Sequence, residues 1–174
     1  MTTKEEQWIL TYSGKQFFPF NPKLDQICIQ DIAHALSMIC RYTGHCKELY
    51  TVSQHSCYIS DYCPDELKLE GLLHDATEAY LADINRPTKE FLPEYRELES
   101  NLDKLIRNKY GLPLEMSPYV KSLDMAILNN EREVLLPASK WDWGIGNQKL
   151  DLIITPWSPA EAEKEFLERF MRLF

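Results

Sequence analysis

Two histidines and two aspartates raise the first question about this chain. His74 and Asp75 are adjacent in the stretch GLLHDATEAYL, His55 lies upstream and Asp124 downstream. Neutral imidazole nitrogen and carboxylate oxygen suit Mn2+, Fe2+, Co2+ or Zn2+ better than Ca2+. Four such groups around one divalent ion still leave positions for water, so these residue types point to metal-assisted hydrolysis. The five cysteines (Cys28, Cys40, Cys46, Cys57, Cys63) never form a CxxC pair. They suggest neither a zinc knuckle nor a disulfide framework, and are expected to be reduced, mostly buried apolar residues.

One ion can be gripped only if separate elements aim these side chains at one point. Residues 8 to 29 mix Trp8, Ile9, Leu10, Tyr12, Phe17 and Phe18 with Ser13-Gly14 and prolines, which predicts a short hairpin or extended arm. From Asp31, a plausible N-cap, the apolar positions Ile32, Ala35, Leu36 and Ile39 fall at helical spacing, and a first helix is expected toward Arg41. Thr51 and Gln54 offer a capping box for a second helix that carries Val52, His55 and Ile59 and stops near Pro64. A third is expected from Asp65 to Leu81, ended by Asp83-Ile84-Asn85-Arg86-Pro87. A fourth spans roughly Glu94 to Tyr110 and stops at Gly111. Ser117-Pro118 starts a fifth, with the face Val120, Leu123, Ile127, Leu128, Glu131 and Val134, and Ser158-Pro159 starts a last one bearing Phe166, Phe170 and Leu173. The fold expected is all-α: a compact helical bundle with an N-terminal hairpin or arm, residues 1–174 forming one domain.

On the fifth helix Asp124 shares its face with Val120, Ile127 and Leu128, so its carboxylate points toward the core. A lone buried carboxylate costs several kcal/mol and must be neutralised by a proton, an ion pair or a metal. His55 repeats the anomaly beside Val52 and Ile59, and His74-Asp75 follows directly on Leu72-Leu73. Three helices thus each aim polar ligands inward. Glu78, four residues after His74 and three after Asp75, would crowd the same helical face as a proton donor or acceptor.

The order His55, His74-Asp75, Asp124 resembles the H…HD…D signature of the HD-domain metal-dependent phosphohydrolases, an all-helical superfamily. The stretches RYTGHCKELYTVSQHS, LLHDATEAYLADINRPTK and KSLD are similar to small bacteriophage-type HD proteins and bacterial HD-domain 5'-deoxynucleotidases, and most of all to phage dATP triphosphohydrolases. The resemblance covers roughly residues 10 to 170. It implies one divalent transition ion (Co2+, Mn2+ or Zn2+) on His55, His74, Asp75 and Asp124, with Mg2+ able to accompany a triphosphate. It also implies catalysis by Glu78 and Asp75, a phosphate-binding Arg41, a sugar-side Asp83, and a base slot walled by Tyr42, Gly44 and Pro87. Lys89 and Lys121 are expected to reach a polyphosphate. The implied reaction is hydrolysis of dATP at the α-phosphate to deoxyadenosine and tripolyphosphate. The alternatives are a 5'-deoxynucleotidase acting on monophosphates and a non-catalytic nucleotide-sensing module. By the same resemblance a homo-oligomer, dimer or hexamer, is expected.

Composition fits a soluble enzyme. The chain has 174 residues, 44% hydrophobic, with a formal charge of −8. A polyanion tracking along a basic surface is therefore not expected, although a small anionic ligand needs only a few local cations. No long nucleic acid and no membrane are expected as partners, and the location expected is cytoplasmic, the host cytoplasm if phage-encoded. No Gly-rich phosphate loop or GxSxG elbow supports a rival apparatus. The run Trp141-Asp142-Trp143 is read as sealing a core or subunit contact, and His34 and His45 as structural or solvent-facing.

Overall fold

The computed structural model describes residues 3–174 and is all-α apart from one small hairpin. The hairpin pairs β1 (Ile9–Leu10) with β2 (Gln16–Phe17) in antiparallel register, and Gly14 turns it at φ +80°. It is fastened to the first helix, α1 (Ile29–Met38), by Asp31, whose carboxylate accepts the backbone N–H of Ser13 at 2.6 Å and its hydroxyl at 2.8 Å. Asp31 therefore does not cap α1, as its sequence position predicts. Cys28 holds that place, and the helix stops at Met38, short of Arg41.

α2 (Val52–Tyr62) is the central element. Every residue from Val52 to Ser60 is buried, although the segment VSQHSCYIS is half polar. Such a helix is tolerated where its polar groups find partners, and here all but Ser56 Oγ do so among the described residues. Ser53 donates to the carbonyl of Ala162 at 2.9 Å and Ser60 to that of Lys68 at 2.9 Å. Thr51 caps the helix by accepting the Gln54 N–H at 3.1 Å, but the expected reciprocal half of the box is absent. The Gln54 amide instead donates to the carbonyl of Thr155 at 2.7 Å and accepts the N–H of Trp157 at 2.9 Å, which pins the segment before the last helix. One apolar cluster, including Phe17, Ile32, Leu36, Leu72, Ile106 and Phe166, lies on one side of α2. A second, with Ile59, Val120, Leu123 and Ile127, lies on the other.

The third predicted helix is not continuous. A 3-10 turn (Asp65–Leu67) leads into α3 (Lys68–Leu73), and α4 (Glu78–Leu81) follows after an interruption at His74–Thr77. There the chain tightens, with Ala76 N–H on Leu73 O, Glu78 N–H on Asp75 O and Tyr80 N–H on Thr77 O, each at 3.0 Å. Groups three apart eclipse in such turns, so Asp75 and Glu78 share a side. A short α5 (Arg86–Lys89), capped by Asn85, falls where the sequence suggests only a break. α6 (Pro93–Lys109) begins and ends close to the predicted places, and α7 (Pro118–Leu135) and α8 (Pro159–Leu173) begin at the predicted Ser-Pro starts. On α7, Val134 is exposed rather than core-facing.

Two devices set α3 against its neighbours. Gly71 lies so close to α2 that an added Cβ would meet Cys63 Sγ at 2.8 Å and Ser60 Cα at 3.2 Å. Buried Glu70 accepts both a guanidinium N–H of buried Arg107 at 3.1 Å and the N–H of Ser117 at 2.7 Å, so α3, α6 and the start of α7 meet at one carboxylate. No helix among the described residues is long and apolar enough to cross a membrane. The five cysteines are free, but only Cys57 and Cys63 are buried, fewer than expected.

Candidate metal centre

α2 delivers His55, the end of α3 delivers His74 and Asp75, and α7 delivers Asp124. The ring Nδ1 of His74 bonds the carbonyl of Gly71 at 2.8 Å, and that of His55 bonds a carboxylate oxygen of Glu131 at 2.7 Å. Both partners are acceptors, so each Nδ1 carries the hydrogen and each Nε2 is left with a free lone pair. The two Nε2 atoms face each other at 3.3 Å. Asp124 Oδ1 lies 3.2 Å from Nε2 of His55. Asp75 Oδ2 lies 3.2 Å from Nε2 of His74 and 3.8 Å from that of His55.

These separations fit one divalent ion. Ligand bonds of about 2.0–2.2 Å at angles near 90–110° place neighbouring donor atoms roughly 3–3.5 Å apart. Among the described residues His55, His74 and Asp124 offer donor atoms all within 4.8 Å of one another, and Asp75 lies just outside that group. Two bare imidazole nitrogens and two carboxylates in contact demand a positive charge between them, and without an ion a proton must serve. Burial opposes protonation of His74, yet Asp75, Asp124 and the Gly71 carbonyl overcome it and push its pKa up to about 9. Burial would raise Asp75 and Asp124 as well, but both are held below the ordinary carboxylate range, Asp75 chiefly by His74 and Asp124 chiefly by His55.

Glu131 is a residue the sequence reading placed only on the core face of α7. It is fully buried, accepts His55 through one oxygen, and accepts the Tyr42 hydroxyl at 2.5 Å and Arg41 Nε at 3.3 Å through the other. Burial alone would raise its pKa, but Arg41 and His55 keep it ionised. The guanidinium of Arg41 also approaches Asp75 at 3.5 Å.

Two cavities flank these groups. One, of about 360 Å3, is lined by His74, Asp75, Glu78, Lys89, Arg96 and Glu99 among others. Glu78 is almost wholly buried, and its Oε2 has no hydrogen-bond partner among the described residues. Burial pushes its pKa well above the usual carboxylate value, with Asp75 and Asp83 adding to the rise and Arg41 and Lys89 opposing it. Lys89 reaches this cavity but pairs with Glu99 at 2.6 Å. The second cavity, of about 440 Å3, is walled by Arg41, Tyr42, Asp83, Pro87, Leu128 and Trp143 among others. Tyr42 and Trp143 stand 6.0 Å apart, tilted by 51°. The WDW run thus contributes Trp143 to a slot that the sequence reading had left without it.

Across 94% of its length the chain is 42% identical, over 166 residues, to an uncharacterized protein of Escherichia coli (strain K12), YfdR, of which the alignment covers 93%. The chain belongs to the YfdR family. A more distant relative, an uncharacterized protein of Rhodobacter capsulatus, is 29% identical over 124 residues, 66% of this chain and 63% of that one. No family model matches the chain. For this member of the YfdR family, the structure thus brings together His55, His74, Asp75, Asp124 and Arg41, and gathers Tyr42, Asp83 and Pro87 around one slot. Two expected residues stand apart. Lys121 is exposed on α7 and lines neither cavity: three residues before Asp124 it lies about 60° round the helix from that ligand, on the solvent side. Gly44 is exposed and serves the turn instead, at φ +80° directly after the positive-φ residues Tyr42 and Thr43. His34 stacks on Tyr12 at 3.7 Å and pairs with Glu163, a structural role, while His45 is exposed.

Proposed function

We propose that this protein is a metal-dependent phosphohydrolase of deoxynucleotides, of the HD-domain type, cleaving the bond between the α-phosphorus and O5'. The observation that carries the reading is the pair of Nε2 atoms at 3.3 Å, each freed by a hydrogen bond at the opposite ring nitrogen and each flanked by an aspartate. His55, His74, Asp75 and Asp124 would hold the ion. When bound, Co2+, Mn2+ or Zn2+ supplies a nucleophilic water at neutral pH and draws charge from phosphoryl oxygen.

The chain's own groups do the rest. Arg41, at the edge of the slot and 3.5 Å from Asp75, offsets charge on the nonbridging phosphate oxygens. Tyr42, Pro87 and Trp143 offer flat apolar surfaces to a base, and Asp83 in the same slot would accept a hydroxyl of the sugar. Water adds to phosphorus, the P–O5' bond breaks, and Glu78 gives its proton to O5', which would otherwise leave as an alkoxide. The proton shed by the water restores the Glu78 carboxyl through solvent.

Lys89 and Arg96 line the cavity beside His74 and Asp75, which favours a triphosphate with release of tripolyphosphate, and the choice of dATP rests on the resemblance to phage dATP triphosphohydrolases. A monophosphate substrate is favoured by two other observations: Lys89 is already neutralised by Glu99, and Lys121 stands outside both cavities. Product analysis decides. Deoxynucleoside mono- and triphosphates are incubated with the protein and Mn2+, Co2+ or Zn2+, and phosphate, tripolyphosphate and deoxynucleoside are separated. Turnover is expected in the wild type and none in His74→Ala or Asp75→Ala with helical content retained. Full turnover in either variant would overturn the assignment.

A further inference from the structure

Glu131 receives donors that belong to two different tasks. One oxygen holds the Nδ1–H of His55, whose other nitrogen faces the ion site, and the second holds Tyr42, a wall of the slot. Arg41 shares that second oxygen, stands 5.6 Å from the Tyr42 ring and also meets Asp75, so Tyr42 is tied to the ion site through Glu131 directly and through Arg41 at one remove. The backbone adds a reason for the tie. Tyr42 sits at φ 56° and Thr43 at φ 55°, in the left-handed region, which side-chain-bearing residues keep only where surrounding bonds over-determine it. The bond to Glu131 anchors the far end of the Tyr42 ring against that strain.

We infer that Glu131 is a positioning residue that makes the ion and a deoxynucleoside bind cooperatively, even when the nucleoside carries no phosphate to touch the ion. This rests on the metal and slot roles given above. A cation on Nε2 withdraws electron density from the imidazole and strengthens Nδ1–H as a donor. The His55–Glu131 bond tightens, and the carboxylate is held where it fixes the Tyr42 hydroxyl. Without the ion that pull on the imidazole is absent, the carboxylate is held less firmly, and the strained Tyr42 spends more time away from the slot. By linkage the effect is reciprocal: the nucleoside must tighten the ion by the same factor.

The probe is 2'-deoxyadenosine, titrated calorimetrically into the full chain after chelation and again with saturating Co2+. In the wild type Co2+ is expected to tighten the nucleoside about fivefold or more. Tyr42→Phe is expected to keep Co2+ affinity within about threefold and to lose most of the coupling, because it breaks the hydrogen bond to Glu131 while leaving the ring's contact with Arg41 in place. Glu131→Gln should weaken Co2+ roughly 10- to 100-fold and lose the coupling too, since an amide cannot serve both the imidazole and the hydroxyl as the carboxylate does. If Glu131→Gln fails to fold, Tyr42→Phe alone decides. Coupling that survives undiminished in Tyr42→Phe, a wild type whose nucleoside affinity ignores Co2+, or one that binds Co2+ but no nucleoside would each overturn the inference. A wild type that binds no Co2+ would overturn the metal reading itself, and that failure is visible before any variant is made.

Discussion

Glu78→Gln removes one proton from the site and almost nothing else. The carboxyl is 7% exposed. Its Oε2 has no partner among the described residues, and burial with Asp75 and Asp83 nearby lifts its pKa well above the ordinary value. That rise favours the neutral acid, and an amide of the same shape replaces this form with no change of charge. Stability should shift by no more than about 1 kcal/mol. Turnover should not survive as well. A positioned general acid contributes about 10²- to 10⁴-fold, or roughly 2.7–5.4 kcal/mol of barrier at about 1.36 kcal/mol per tenfold. Because the proton moves only in the transition state, kcat and kcat/KM should fall together.

The assay follows deoxynucleoside release with Mn2+ over a range of pH, beside a Co2+ titration and a thermal melt of the same preparation. A raised carboxyl pKa in the folded state stabilises the protein fully below its unfolded value, and that contribution is lost as pH rises through the folded value. The acid's catalytic form disappears over the same rise, so the wild type should show an alkaline fall in kcat that Glu78→Gln lacks. A variant within about threefold of the wild type, with the same alkaline limb, would mean that the leaving oxygen is protonated by another group and would refute the reasoning.

The protonated His74 gives a second expectation. Its pKa of about 9 in the ion-free protein means that Co2+ must displace a proton near neutral pH, so affinity should rise with pH up to that value. Calorimetry in buffers of different ionisation heat measures the release, and a binding event with none would contradict the shared site. In the ion-free protein the same shift stabilises fully below the ordinary histidine value of about 6.5 and is lost as pH climbs toward 9, so its melting temperature should fall across that window and the Co2+-loaded protein's should not. Trp143→Ala should raise KM roughly 5- to 100-fold through lost stacking while leaving kcat nearly unchanged, and an unaltered KM would remove Trp143 from the slot.

The parts of this molecule legible in the sequence are those set by near neighbours. Thr51, Ser117 and Ser158 each accept a backbone N–H at the helix starts their types predict. The apolar period of 3.6 places α1, α6, α7 and α8 within a few residues. The break at His74–Thr77 is different. LLHDATEAYL has the composition of one uninterrupted helix, and nothing local in it announces a run of tight turns. What the site adds is a nearby constraint: the His74 ring bonds back to the carbonyl of Gly71, and Gly71 is held against α2 by a contact that no side chain would permit.

Glu131 was hidden for the opposite reason, since its partners His55, Arg41 and Tyr42 all lie far away in the chain. A glutamate in an apolar stripe reads as the edge of a face. The signal that could have found it is the spacing to Asp124: seven residues apart, the two carboxylates fall on one side of α7, among Val120, Leu123 and Ile127. Fully buried Glu131 asks for a positive partner, and so does Asp124 on the same side, whose side chain is only partly buried. In the fold those are the ion site for Asp124 and Arg41 for Glu131, with His55 touching both carboxylates. The pattern on α7 therefore carries the demand for a second cation beside the proposed ion, and Arg41, for which the family resemblance implies phosphate binding, is the group that meets it. A substrate phosphate at Arg41 must then compete with Glu131 and Asp75 for the same guanidinium. Arg41 can serve it without leaving Glu131 because its Nε faces Glu131 while its Nη1 faces Asp75.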